Sequence, residues 1–116
     1  MTKLEETLSL QLEYDDHNKE AFHREASRVL RSLAKALGLG KGQFRVKSCK
    51  GGDGVGGEVR LEIPGAEVYI NSFQVAGCHV LYRTRIGTTI GANRWAPAAD
   101  LSDLPAFAAT LRAIIS

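Results

Sequence analysis

A chain of 116 residues, 44% hydrophobic and 24% charged, has the size and make-up of one globular domain spanning residues 1–116, which excludes a disordered chain or two separate cores. No apolar run approaches the roughly 18 to 20 residues that cross a bilayer, and Met1-Thr2-Lys3-Leu4-Glu5-Glu6 lacks the apolar centre of a signal peptide, so a cytoplasmic protein without membrane contact is expected. The formal charge of +2 falls short of the excess expected of a dedicated nucleic-acid binder, yet its distribution is uneven: residues 1–30 carry four bases and seven acids, whereas residues 31–50 carry six bases and no acid.

Thr2 followed by Glu5 is a capping pattern, and Leu4, Leu8 and Leu12 recur at helical spacing. The alternation Leu8, Leu10, Leu12, Tyr14 also reads as a strand, with helix preferred. The segment Leu12 to Phe22 resembles the helix-to-helix junction of tetratricopeptide repeats, which implies a helical hairpin; no second repeat accompanies it. From about Asn18 to Leu37, Phe22, Ala26, Val29, Leu30, Leu33, Ala36 and Leu37 fall on one helical face, and Gly38 and Gly40 end the helix.

Four β segments follow, Phe44 to Cys49, Glu58 to Ile63, Ala66 to Phe73 and His79 to Ile86. The glycine-rich stretch 51–57, Pro64-Gly65 and Val75-Ala76-Gly77 separate them, and such short connections require antiparallel neighbours. Val46, Val59, Leu61 and Ile63 alternate with Lys47, Glu58, Arg60 and Glu62, so one face of the sheet is apolar and the other charged. The stretch Gly87 to Ala99 is long for a structureless connection and is either a functional loop or a hidden fifth strand. A last helix is capped by Ser102 or Asp103 and carries the stripe Leu104, Phe107, Ala108, Leu111, Ile114, Ile115. The expected fold is α+β: an antiparallel β-sheet of four or five strands with helices packed on one face, in the order α-α-β-β-β-β-α.

Motifs of chemistry are sparse. Gly38-Leu39-Gly40-Lys41-Gly42 follows a helix instead of preceding one, and 51–57 joins two strands without a GK[ST] ending, so neither is a phosphate loop. His17, His23 and His79 have no partner at a ligand spacing and read as surface imidazoles. Cys49 and Cys78 read as buried free thiols. No metal and no cofactor are expected. No serine or cysteine stands in a recognisable nucleophile context, so a small enzyme ranks behind a binding module.

Two surfaces stand out. Arg24, Arg28, Arg31 and Lys35 are spaced four, three and four apart, forming a cationic ridge opposite the apolar stripe, with Glu20 in place to pair with Arg24. It suits nucleic-acid phosphate or an acidic partner, or is a solvated face. Arg83 and Arg85 share a strand face with Arg45, Lys47 and Arg60, and Arg94 and Trp95 follow in the long loop. Trp with Arg is the composition of an interaction hot spot, and the competing reading is cross-strand pairing of the arginines with Glu58, Glu62 and Glu67.

The stretches Gly57-Glu58-Val59-Arg60-Leu61, Val68-Tyr69-Ile70, Leu81-Tyr82-Arg83-Thr84 with Gly87, and Gly91-Ala92-Asn93-Arg94-Trp95 together resemble small uncharacterised proteins of phages and prophages. The resemblance implies a mobile-element origin in a bacterial host cell. It implies no activity by itself, but small phage proteins commonly bind a host macromolecule and block it, as anti-defence and anti-CRISPR inhibitors do, so a non-catalytic binding and modulating protein, monomer or homodimer, is expected. The partner is then a host protein complex, gripped around Arg83, Arg85, Arg94 and Trp95, or a nucleic acid held by the helix ridge and sheet arginines.

Overall fold

The computed structural model describes residues 3–8, 16–49 and 57–115. The capping pattern at Thr2, the junction across 9–15 and the glycine-rich stretch 51–56 lie outside the described residues. A first helix α1 (Lys3–Leu8) packs on the long helix α2 (Asp16–Ala36) and buries Leu4. In α2 the helical spacing of Phe22, Ala26, Leu30 and Leu33 buries all four completely, each large side chain contributing about 2 kcal/mol of transfer free energy. Gly38, at φ +79°, ends the helix in a Schellman arrangement, Leu39 N–H donating to Ala34 O and Gly38 N–H to Lys35 O.

Six antiparallel strands follow: β1 (Arg45–Cys49), β2 (Glu58–Ile63), β3 (Ala66–Val75), β4 (Cys78–Ile86), β5 (Thr89–Ile90) and β6 (Arg94–Ala96). They are arranged β1-β2-β3-β4, with β5 and β6 sharing the outer flank of β4. A 3₁₀ turn (Ala98–Ser102) leads into the last helix α3 (Leu104–Ile115). Asp103 caps α3, its Oδ1 accepting from Ala106 N–H at 3.2 Å. Val59, Leu61, Val68, Ile70 and Val80 meet α2 and α3 in one core, where Tyr82 packs edge-on against Phe107. Both helices therefore cover the same face of the sheet, and the fold is α+β. No helix among the described residues is long and apolar enough to cross a membrane.

The alternative of a hidden fifth strand is the one realised between Gly87 and Ala99, in two pieces. Ile90 faces Arg85 and Trp95 faces Leu81. Between the pieces Gly91 lies so close to β4 that a Cβ there would meet Thr84 Oγ1 at 2.1 Å. Strands of two and three residues carry too little alternation to be read from sequence.

The β3–β4 hairpin contains a register shift that decides which side chains reach which face. At its tip Val75 faces Cys78, but further in Ile70 faces Val80, so Asn71 to Gln74 stand against His79 alone. An unbroken hairpin continuing the tip register would set Ile70 opposite Arg83 and push that guanidinium toward the core. Because the shift is odd, it turns Arg83 to the other face, opposite Glu67. The His79 ring fills the irregularity, Nδ1–H donating to Asn71 O at 2.9 Å while the Gln74 amide donates to Nε2 at 3.1 Å.

The histidines and thiols depart from expectation. His23 and His79 are buried, whereas Cys49 is exposed and Cys78 is half-buried. His23 lies under β1, where its Nδ1 shares a 2.6 Å hydrogen bond with Ser48 Oγ. Cys49 sits on the uncovered side of an edge strand, opposite Glu58. The substitution His79→Leu keeps the volume and leaves Asn71 O without its donor, so a loss of about 1–3 kcal/mol in urea unfolding is expected. Wild-type stability in that variant would show that the irregularity holds without the imidazole.

Candidate functional site

Helices cover one face of the sheet, and the other carries the charged half of the alternating pattern. Two side-chain rows cross it. One runs Lys47, Arg60, Tyr69, Leu81, Trp95 and the next Arg45, Glu62, Glu67, Arg83, each residue directly opposite the one before. The second row sets Glu62 and Glu67 against each other, a like-charge pair that is destabilising unless cations surround it. Four do. Glu62 Oε1 has Lys47 Nζ at 3.3 Å and Arg60 Nη2 at 3.5 Å. Fully buried Glu67 takes Arg83 Nε–H on Oε1 at 2.7 Å and Arg85 Nη1–H on Oε2 at 3.2 Å.

Tyr69 links the two carboxylates' cations. Its hydroxyl donates to Glu67 Oε2 at 3.0 Å and accepts from Arg60 Nη1 at 3.2 Å and Arg83 Nη2 at 3.4 Å. Both guanidinium groups also lie over its ring, 5.6 and 5.4 Å from the centroid. Arg83 Nη1–H continues the chain to Asn93 Oδ1 at 3.0 Å. Polar contacts thus run unbroken from Asn93 beside β6 to Lys47 on β1.

Burial pushes the Glu67 carboxyl up, but hydrogen bonds from Arg83, Tyr69 and Arg85 and the Arg83 charge outweigh it, holding its pKa below the ordinary carboxylate value. The hydrogen bond to Glu67 raises that of Arg83. Glu67 and Arg83 therefore stay ionised at neutral pH.

Of the residues singled out from sequence, Arg83, Arg85 and Trp95 share the uncovered face. Arg94 does not join them, because its register partner is Tyr82, whose ring packs toward the helices. Cross-strand pairing is realised for Arg83 and Arg85 through Glu67. Sequence reasoning missed Ile90, half-exposed directly opposite Arg85, and the bond by which Asn93 holds Arg83. On the other side of the molecule Arg24, Arg28, Arg31 and Lys35 are all exposed. The expected Glu20–Arg24 pair is not formed. Arg28 instead grips buried Glu25, with Nε 3.1 Å from both carboxylate oxygens. The other three ridge cations have no acidic partner among the described residues.

Comparison with protein-family models, with curated proteins and with solved structures finds no match to this chain.

Removing Arg83 would leave Glu67 buried with one partially exposed cation. Arg83→Ala is expected to cost about 3 kcal/mol, whereas exposed Arg45→Ala should stay within about 0.5 kcal/mol, both measured by urea unfolding. Since the folded-state pKa of Glu67 lies below its unfolded value, its contribution is complete above about pH 4.3 and is lost as pH falls through the folded value. Glu67→Gln should accordingly flatten the acid limb of the stability curve; a limb as steep as wild type would place the acid sensitivity elsewhere.

Proposed function

We propose that this chain is a non-catalytic interaction module that engages a macromolecule through the uncovered face of its sheet, at the flank formed by β4, β5 and β6. The supporting observation is the order of that face. Arg83 and Arg85 are fixed by Glu67 before any partner arrives, so binding costs less side-chain entropy than it would from free arginines. Half-buried Leu81 and Trp95 and half-exposed Ile90 flank them with apolar surface, the mixture found at interface hot spots. The Ser48–His23 contact lies between β1 and α2 and satisfies a buried imidazole, which fits a structural part. In keeping with the resemblance to phage and prophage proteins, the partner is a host macromolecule in the cytoplasm whose action the module blocks or modulates.

A second reading is favoured by a separate observation: Arg24, Arg31 and Lys35 are exposed and lack acidic partners among the described residues. Such a ridge would hold nucleic-acid phosphate without reading sequence.

The two readings separate in one capture experiment on immobilised protein with host lysate, run with nuclease and at rising salt. Ile90→Ser should abolish capture of a nuclease-resistant partner at unchanged melting temperature, and Arg24→Glu with Arg31→Glu should not. Capture that survives Ile90→Ser but vanishes with the ridge variant, and falls steeply with salt, would move the function to α2.

A further inference from the structure

We infer that the uncovered face takes an extended protein segment carrying a carboxylate between two apolar side chains, in the pattern apolar-x-acidic-x-apolar. This rests on the face being the interaction surface and names the chemistry of its occupant.

The donors that remain free decide the charge of the ligand. A guanidinium has five N–H donors, and Arg85 spends Nε on Gly87 O and one Nη1–H on Glu67. The rest of its fork faces solvent, with 40% of the side chain exposed against 20% for Arg83. A planar fork already fixed on one carboxylate can accept a second in its remaining positions.

The neighbours decide what surrounds that carboxylate. Ile90 stands directly opposite Arg85 and is 49% exposed. Leu81 and Trp95 face each other four residues back along β4, a distance of roughly 13 Å at the strand rise of about 3.4 Å. Arg85 starts level with Ile90, but its Nη1 reaches Glu67, the residue opposite Arg83 midway along this span, so the guanidinium leans in between the two apolar contacts. An extended chain running along this flank covers the same span in four residues, which sets the alternate spacing of the motif.

The same surface argues against nucleic acid as the occupant. Glu62 and Glu67 already hold Lys47, Arg60, Arg83 and one side of Arg85, so the face offers no row of free cations for a run of phosphates. Tyr69 is 8% exposed and its ring lies beneath Arg60 and Arg83, so no base can stack on it, and stacking is what single-strand platforms use.

A random peptide-display selection on wild-type protein tests the inference, each enriched peptide then being measured on Ile90→Ser, whose melting temperature is recorded alongside. Enriched peptides should carry Asp or Glu flanked at two-residue spacing by apolar residues, and replacing the acid by its amide should weaken binding by about tenfold or more. Labelled single-stranded oligothymidylate should neither bind the face nor compete. An empty selection, or enrichment without the acid, would overturn the inference. Oligothymidylate binding that is lost in Ile90→Ser would overturn it as well while leaving the face as the interaction surface. Peptides that bind folded Ile90→Ser as well as wild type would overturn both readings.

Discussion

A carboxylate with no access to water must be balanced by charge or hydrogen bonds, and Glu67 meets that demand from three directions. Its position on the central strand β3 fixes where Arg83, Arg85 and Tyr69 must lie, and through Tyr69 and Glu62 it extends the constraint to Arg60 and Lys47. Replacing such a cluster by apolar groups of the same shape could leave stability unchanged or raise it. What the polar version supplies is a single arrangement of guanidinium groups on a face that no helix covers. The hydrophobic core on the opposite side supplies most of the stability, and the two functions are divided between the two faces of one sheet.

That arrangement depends on the hairpin irregularity at His79. The apolar pattern of β4 asks Val80 and Tyr82 to face the helices, and the tight turn at Ala76-Gly77 alone would set the opposite parity. Ala76 itself takes φ +53°, a left-handed conformation that costs a residue with a Cβ about 1 kcal/mol. Burial of the apolar row outweighs that cost. The extra residues of β3 absorb the mismatch between turn and core, and His79 supplies a hydrogen bond to Asn71 O in the displaced backbone.

Much of this was legible in the residues. The spacing of Phe22 to Leu37 and the alternation in Val59 to Ile63 gave α2, β2 and the division of the sheet into apolar and charged faces. The two-residue turn at Pro64-Gly65 fixes Arg60 opposite Tyr69 and Glu62 opposite Glu67, so half of the cluster follows from local rules. The other half does not. Glu67 meets Arg83 only after an odd register shift, imposed by burial of Val80 and Tyr82 against the helices and not by the local turn, and the burial of Glu67 comes from long side chains on neighbouring strands. Ile90 is not legible because β5 is too short to alternate, and Arg94 and Trp95, neighbours in sequence, part company because adjacent strand residues point to opposite faces.

The central claim is that Glu67 holds the guanidinium groups of the uncovered face in place in the free protein. The most direct measurement is nitrogen-15 NMR of the arginine Nε–H groups in wild type and in Glu67→Gln. The account expects an Arg83 Nε–H resonance shifted from the free-arginine position and protected from solvent exchange, with a heteronuclear Overhauser effect like that of the backbone, and all of this lost in Glu67→Gln. A wild-type Arg83 resonance at the free-arginine position, exchanging rapidly, would contradict it.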